Sequence, residues 1–99
     1  MFDDAAKFYE SIGNALSNAA VNPWNLIVLN ATLDDVRVDV IVSCWRTGQS
    51  EVEYLTGVPR LASFIYDLAR VLSTPEKGRF KKCKFTLQNT GKFDVEFEY

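Results

Sequence analysis

A chain of 99 residues, 47% of them hydrophobic and 13% aromatic, has enough apolar surface for one folded core and predicts a single domain over residues 1–99. A net charge of −2 does not favour a dedicated nucleic-acid binder, and the absence of histidine removes the commonest general base and metal ligand. No apolar run is long enough to cross a bilayer, and the acidic N-terminal residues differ from a basic signal peptide, so we expect a cytoplasmic protein without membrane contact.

The first regular pattern covers residues 3–20, where apolar residues recur at helical spacing. They are Ala5, Phe8 or Tyr9, Ile12, Leu16, and Ala19 or Ala20. This spacing predicts one amphipathic helix of about four turns.

Two β-branched and aromatic runs follow, at residues 24–33 and 36–45. Their composition predicts two antiparallel strands joined by a tight turn at residues 34–35. A two-residue turn pairs Ile27 with Val42 and gives a continuous apolar core face.

A third strand is predicted over residues 51–55, after a three-residue loop at 47–49. This loop length places Val52 and Tyr54 on the core face. The opposite face of this three-strand meander, which we call the back face, is then expected to carry Trp24, Leu26, Val28, Asn30, Thr32, Arg37, Asp39, Ile41, Ser43, Trp45, Glu51, Glu53 and Leu55.

A second helix is predicted after a candidate cap at Thr56 and a first-turn proline at Pro59. Its apolar stripe consists of Leu61, Ile65, Leu68 and Leu72, and Pro75 and Gly78 end it. The predicted order is therefore helix, three-strand meander, helix and C-terminal hairpin. This is an α+β fold in which the helices pack on an antiparallel sheet.

The last region, residues 80–99, predicts a β-hairpin around Asn89, Thr90 and Gly91. A three-residue loop makes every apolar residue oppose another and sets two lysines against two glutamates. The expected pairs are Leu87 with Phe93, Phe85 with Val95, Cys83 with Phe97, Thr86 with Asp94, Lys84 with Glu96, and Lys82 with Glu98. Gly91 is third in this loop, where a left-handed backbone needs glycine.

Signals for an enzyme are nearly absent from the chain. There is no glycine-rich phosphate loop, no metal-binding cysteine spacing, and no histidine to activate Ser43 or Ser63. Cys44 and Cys83 fall on predicted core faces, which favours buried free thiols over a disulfide or a ligand pair. We therefore expect a protein without catalytic residues, cofactor or metal.

A basic segment at Lys77 to Lys84 offers one alternative function, a small nucleic-acid-binding module. Phe80 and Phe85 alternate with its cations and could stack on bases. Against this reading, the hairpin register already gives Lys82 and Lys84 glutamate partners and points Phe85 into the core.

The back face is the more promising surface, because helices on the other side of the sheet cannot bury all its apolar residues. An exposed apolar area with a charged rim usually marks a partner site, and tryptophan is a favoured hot-spot residue. The candidate contacts are Trp45, Asp39, Glu51, Glu53, Asp34, Asp35 and Trp24. The alternative is that the first helix folds over this face and buries Trp24 and Trp45 as core.

The segment from Phe85 to Tyr99, Phe-Thr-Leu-Gln-Asn-Thr-Gly-Lys-Phe-Asp-Val-Glu-Phe-Glu-Tyr, resembles the C-terminal signature of the YezG-like immunity proteins, which are bacterial antitoxins of polymorphic or contact-dependent toxin systems. Trp24 at the first strand and the element order agree with that family. The resemblance implies a non-catalytic inhibitor that binds a cognate toxin C-terminal domain in the bacterial cytoplasm and blocks its active site or a required surface.

Toxins of these systems are often nucleases, whose substrate groove is basic. An acidic back face with an aromatic centre would suit such a partner. A secretion chaperone or other adaptor would use the same face for a different partner and stays open as an alternative.

Overall fold

The structure, a computed structural model, describes residues 2–20, 23–34, 37–48, 50–58, 60–76 and 78–99, with the side chains of the first helix from Ala6 onward. Its elements are α1 (Phe2–Ala19), β1 (Trp24–Leu33), β2 (Val38–Arg46), β3 (Val52–Leu55), α2 (Leu61–Leu72), β4 (Lys82–Gln88) and β5 (Phe93–Glu98). The fold is α+β, with the predicted order of helices and strands.

One antiparallel sheet contains all five strands, in the order β3-β2-β1-β4-β5. β1 is therefore the central strand, bonded to β2 on one side and to β4 on the other. Both helices pack on one face of this sheet, where Ile12 and Leu16 of α1 and Ile65 of α2 join a single core with Leu29 and Phe85. Neither of the described helices packs on the other face of the sheet.

The C-terminal hairpin has the predicted register. All six expected pairs are present, from Leu87 opposite Phe93 to Lys82 opposite Glu98. The Gly91 N–H donates to the Gln88 carbonyl at 3.0 Å, and Gly91 has the left-handed φ of 90° that the loop requires. Complementary pairs on both faces therefore specify this register.

The turn between β1 and β2 is longer than predicted. Leu29 pairs with Val42 and Ile27 with Cys44, two residues away from the expected register. Arg37 closes a four-residue turn with Asp34, whose N–H donates to the Arg37 carbonyl at 3.0 Å. A slip of two residues preserves the side-chain alternation, so each residue of β2 keeps its predicted face.

The observed pairing of β3 with β2 differs from the prediction by one residue, which exchanges the two faces of β3. Leu55 pairs with Val42 and packs against the core, whereas Tyr54 lies opposite Ser43 on the back face. Glu53 lies opposite Cys44 and therefore also leaves the back face. Val52 pairs with Trp45 instead of Cys44, so the loop enclosed by the pairing differs from the predicted one by one residue, and a slip of one residue turns each side chain of β3 to the other face.

The predicted placement of Trp24 on the back face is wrong, because β1 contains an extra residue near its start. Leu26 pairs with Trp45 but Trp24 pairs with Arg46, so the register shifts at Asn25. This bulge turns the Trp24 side chain towards the helices, where it is only 9% exposed and belongs to the core. Trp24 is therefore a core residue, but the expected cause is wrong: the bulge turns it to the helix side, and α1 does not fold over the back face. Trp45 is half-buried and lies outside the core.

Asn89 ties the hairpin turn to this bulge. Its side-chain Nδ2 donates to the Trp24 carbonyl at 3.2 Å, and its backbone N–H donates to the Asn25 carbonyl, also at 3.2 Å. The asparagine therefore contributes a long-range contact in addition to the turn.

The start of α2 also differs from the prediction. Arg60, not Thr56, is the N-cap; it has a left-handed φ of 64° and its side chain makes no capping hydrogen bond. Pro59 lies outside the described residues. The predicted apolar stripe is confirmed, since Leu61, Ile65 and Leu68 are buried.

Cys44 and Cys83 are buried free thiols, as predicted. Burial raises the pKa of Cys83 to about 12, from an ordinary value of 9.0. Between these two values the unfolded chain releases the proton while the folded protein retains it. Stability should therefore fall as pH rises above 9, by up to about 1.4 kcal/mol per pH unit.

Urea unfolding at several alkaline pH values checks this expectation. Cys83→Ala serves as the control, because its stability should depend less steeply on pH whatever its absolute stability. If the free energy of unfolding falls equally steeply with pH in both proteins, groups other than Cys83 cause the loss of stability at alkaline pH.

Candidate protein-binding surface

The exposed face of the meander presents a continuous apolar patch. Opposed residues of antiparallel strands point to the same face, so the observed registers set side chains of three strands next to one another. We call this surface the back-face patch; it consists of Leu26, Val28, Ile41, Trp45, Val52 and Tyr54.

Two rows of paired residues build the patch. Leu26 of β1, Trp45 of β2 and Val52 of β3 form the first row. Val28, Ser43 and Tyr54 form the second row. Directly opposed side chains lie about 5 Å apart, whereas Trp45 and Tyr54 are diagonal neighbours about 7–8 Å apart. Aromatic side chains reach across that distance, so the indole and the phenol belong to one surface.

The patch is open to solvent at its outer members. Ile41 is 58% exposed and Tyr54 is 65% exposed, which is high for large apolar side chains. Trp45, Leu26 and Val52 are half-buried, and Val28 is buried, but none of the four belongs to the core cluster. Apolar residues grouped in this way on one uncovered sheet face are typical of a partner-binding surface.

A pocket of about 500 Å³ opens beside Trp45 at the end of the patch. Leu26 and Arg46 line it together with Asn25 and Ser50. The Arg46 Nη1 contacts Glu53 Oε1 at 3.4 Å, but its buried Nε has no hydrogen-bond partner among the described residues.

Asp39 supplies the acidic group closest to the patch. It is exposed on β2, on the same face as Ile41 and Trp45. The Arg37 guanidinium contacts its Oδ2 through both Nε and Nη2 at 3.1 Å. An exposed pair of this kind contributes only about 0–1 kcal/mol, so a partner's cation could replace the arginine at little cost.

The structure brings together only some of the seven predicted contact residues. Trp45 and Asp39 lie on the back face, and Glu51 is exposed directly before β3. Trp24 is in the core and Glu53 points to the helix side, for the reasons given above. Asp34 lies in the β1–β2 turn, where its Oδ1 accepts the Arg37 N–H at 2.9 Å, and Asp35 is outside the described residues.

Sequence reasoning missed Val52 and Tyr54 as members of the patch. It placed both in the core because it assumed a three-residue loop before β3. One signal could have identified them: a four-residue loop buries Leu55 and leaves the tyrosine, which keeps a polar hydroxyl, at the surface.

The basic segment lacks the arrangement expected of a nucleic-acid site. Lys82 and Lys84 lie opposite Glu98 and Glu96, and Phe80 and Phe85 are both almost completely buried. Neither ring is available to stack on a base. Lys77 lies outside the described residues.

An open groove of about 1280 Å³ separates α1 from one end of the sheet. Tyr9, Gly13 and Ser17 of α1 face Trp24 and Phe93 across it. Glu10 is the only charged side chain among the described residues that line it. The groove could accept an apolar side chain, but it lacks the cluster of exposed aromatic and aliphatic residues that distinguishes the back-face patch.

In the part of the chain that the structure describes, no group of three or more Cys, Asp or Glu side chains is arranged to hold a metal ion. None of the described helices has the length and apolar character needed to span a membrane. No model of a known protein family matches this chain, and no curated protein matches it.

Proposed function

We propose that this protein is an immunity protein, which binds a cognate bacterial toxin domain in the cytoplasm through the back-face patch and neutralises it without catalysis. The observation that supports this proposal most directly is the uncovered cluster around Trp45, Tyr54 and Ile41. The resemblance of the segment from Phe85 to Tyr99 to the YezG-like immunity proteins suggests the class of partner.

The chemistry of the surface favours a basic partner. The chain carries a net charge of −2, and Asp39 stands beside the patch in an exposed ion pair with Arg37. Negative charge around an apolar centre accelerates association with a positively charged surface such as a nuclease groove. Trp45 and the adjoining pocket would then supply the hot spot.

The test is titration against a candidate toxin C-terminal domain, for which a gene adjacent to this one would be the first choice, together with rescue of cell growth. Replacing Trp45 or Tyr54 by alanine should weaken binding by about 2 kcal/mol or more, as central hot-spot residues do. Tyr66→Ala is the matched control, because this tyrosine is also exposed but lies on α2.

Melting curves of all three variants show whether any loss of affinity reflects unfolding. Unchanged affinity in both patch variants would exclude the back face as the toxin site. Binding to an unfolded export substrate instead of a folded toxin would favour the adaptor alternative, which uses the same surface.

A further inference from the structure

A second interaction site is suggested by the outer edge of β5. β5 is the last strand of the sheet, and no strand of the described chain pairs with its outer side. Over Phe93–Glu98 the edge is long enough for another strand to add to it. The opposite edge, β3, has only four residues.

The two faces of β5 have different chemistry. Asp94, Glu96 and Glu98 alternate on the face away from the helices, and all three are exposed. On the neighbouring strand β4, Lys84 lies opposite Glu96 and Lys82 lies opposite Glu98. This face of β5 therefore accepts a strand with basic residues at every second position.

The helix-side face of β5 is apolar and only partly covered. Phe93 is 51% exposed even though its ring lies 5.4 Å from the Phe85 ring and 5.8 Å from the Tyr9 ring. Val95 and Phe97 are half-buried. Apolar side chains from an added strand would extend this layer and cover the Phe93 ring.

A second copy of the chain does not fit this edge. Pairing β5 with another β5 in an even register would place acidic residues opposite acidic residues, which is unfavourable. An odd register would place phenylalanine opposite glutamate on both faces. The acidic residues thus protect the edge from self-association and leave it complementary to a basic strand.

We propose that the outer edge of β5 binds, by strand addition, an extended segment of another protein in which basic and apolar residues alternate. The site lies at the opposite end of the sheet from the back-face patch and does not depend on the partner being a toxin. Two strands, β1 and β4, separate β5 from β2, which places β5 about 14 Å from the strand of Trp45 and about 10 Å from the patch residues on β1.

A synthetic peptide tests this proposal without any knowledge of the natural partner. The probe has about seven residues, the length of a typical strand, and alternates lysine with valine or phenylalanine. A matched peptide carries glutamate in place of lysine. We expect the lysine peptide to bind at least about fivefold more tightly and to shift the backbone amide resonances of β5.

Asp94→Lys provides the charge-swap variant, because Asp94 lies opposite Thr86 and the new lysine meets no like charge there. It should reverse the preference between the two peptides. Asp39→Lys, on β2, is the control and should leave the preference unchanged. Asp94→Asn gives a milder version, with about twofold weaker binding, should the lysine variant fail to fold.

Three results would overturn the proposal. They are equal binding of the two peptides, resonance shifts that map to β3 or the back-face patch, and an equal effect of the Asp39 and Asp94 variants. Loss of toxin binding in the Trp45 and Tyr54 variants concerns the other surface, so the two proposals fail separately.

Discussion

Replacing Trp24 by alanine is expected to lower the free energy of unfolding by about 3–5 kcal/mol, the usual effect of removing a large buried aromatic side chain. The indole is 9% exposed and packs in the core beneath the helices. The cavity it leaves adjoins the groove beside α1, because Trp24 lines that groove.

Trp45→Ala is the control for this prediction, since it removes the same side chain from the back face. For Trp45→Ala the free energy of unfolding should fall by about 1 kcal/mol, because the neighbours Leu26 and Val52 cover only part of the indole ring. Urea denaturation of both variants measures the difference. Equal destabilisation would mean that the bulge at Asn25 does not separate the two tryptophans as described.

Phe85→Ala is the second substitution with a large expected effect, again about 3–5 kcal/mol. Phe85 has no exposed surface, lies between Leu29 and Val95 in the sheet, and stacks on Phe93. Its loss removes buried side-chain packing between the hairpin and the central strand, which the backbone pairing of β1 with β4 does not replace.

Lys84→Ala tests the other face of the same strand. Lys84 is exposed opposite Glu96, so its replacement should change stability by only about 0.5 kcal/mol. Thermal or urea unfolding distinguishes the two variants. A loss below about 2 kcal/mol for Phe85→Ala would show that the hairpin depends on its cross-strand charges more than on its apolar face.

The C-terminal hairpin could be predicted in full because its two faces constrain the register independently. A two- or four-residue loop would set Leu87 against Asp94 or Lys92, and the three-residue loop places Gly91 at its left-handed position. The apolar pairs on one face and the charged pairs on the other therefore favour the same strand register.

The β1–β2 register could not be predicted because valine recurs at every second position of β2. Val38, Val40 and Val42 can each oppose an apolar residue of β1 in either of two registers. The turn decides between them through the backbone bond between Asp34 and Arg37, which depends on loop conformation and not on hydrophobic pattern.

The composition of the back face was predicted only in part for two local reasons. The bulge at Asn25 leaves no signature in the alternation of apolar residues, so Trp24 was assigned to the wrong face. In β3 four residues give too short a pattern to distinguish burial of Leu55 from burial of Tyr54. Tyr54 then became the most exposed large apolar residue of the described chain.

The central position of β1 has a consequence for how the chain acquires its structure during synthesis. β1 ends at Leu33, but its second neighbour β4 begins only at Lys82. Until β4 leaves the ribosome, one edge of β1 has no hydrogen-bonding partner. Pairing β1 with β4 then closes a long loop, from Leu33 to Lys82. Folding is therefore completed after translation of the hairpin, and shortened chains that lack β4 should aggregate through the bare edge of β1.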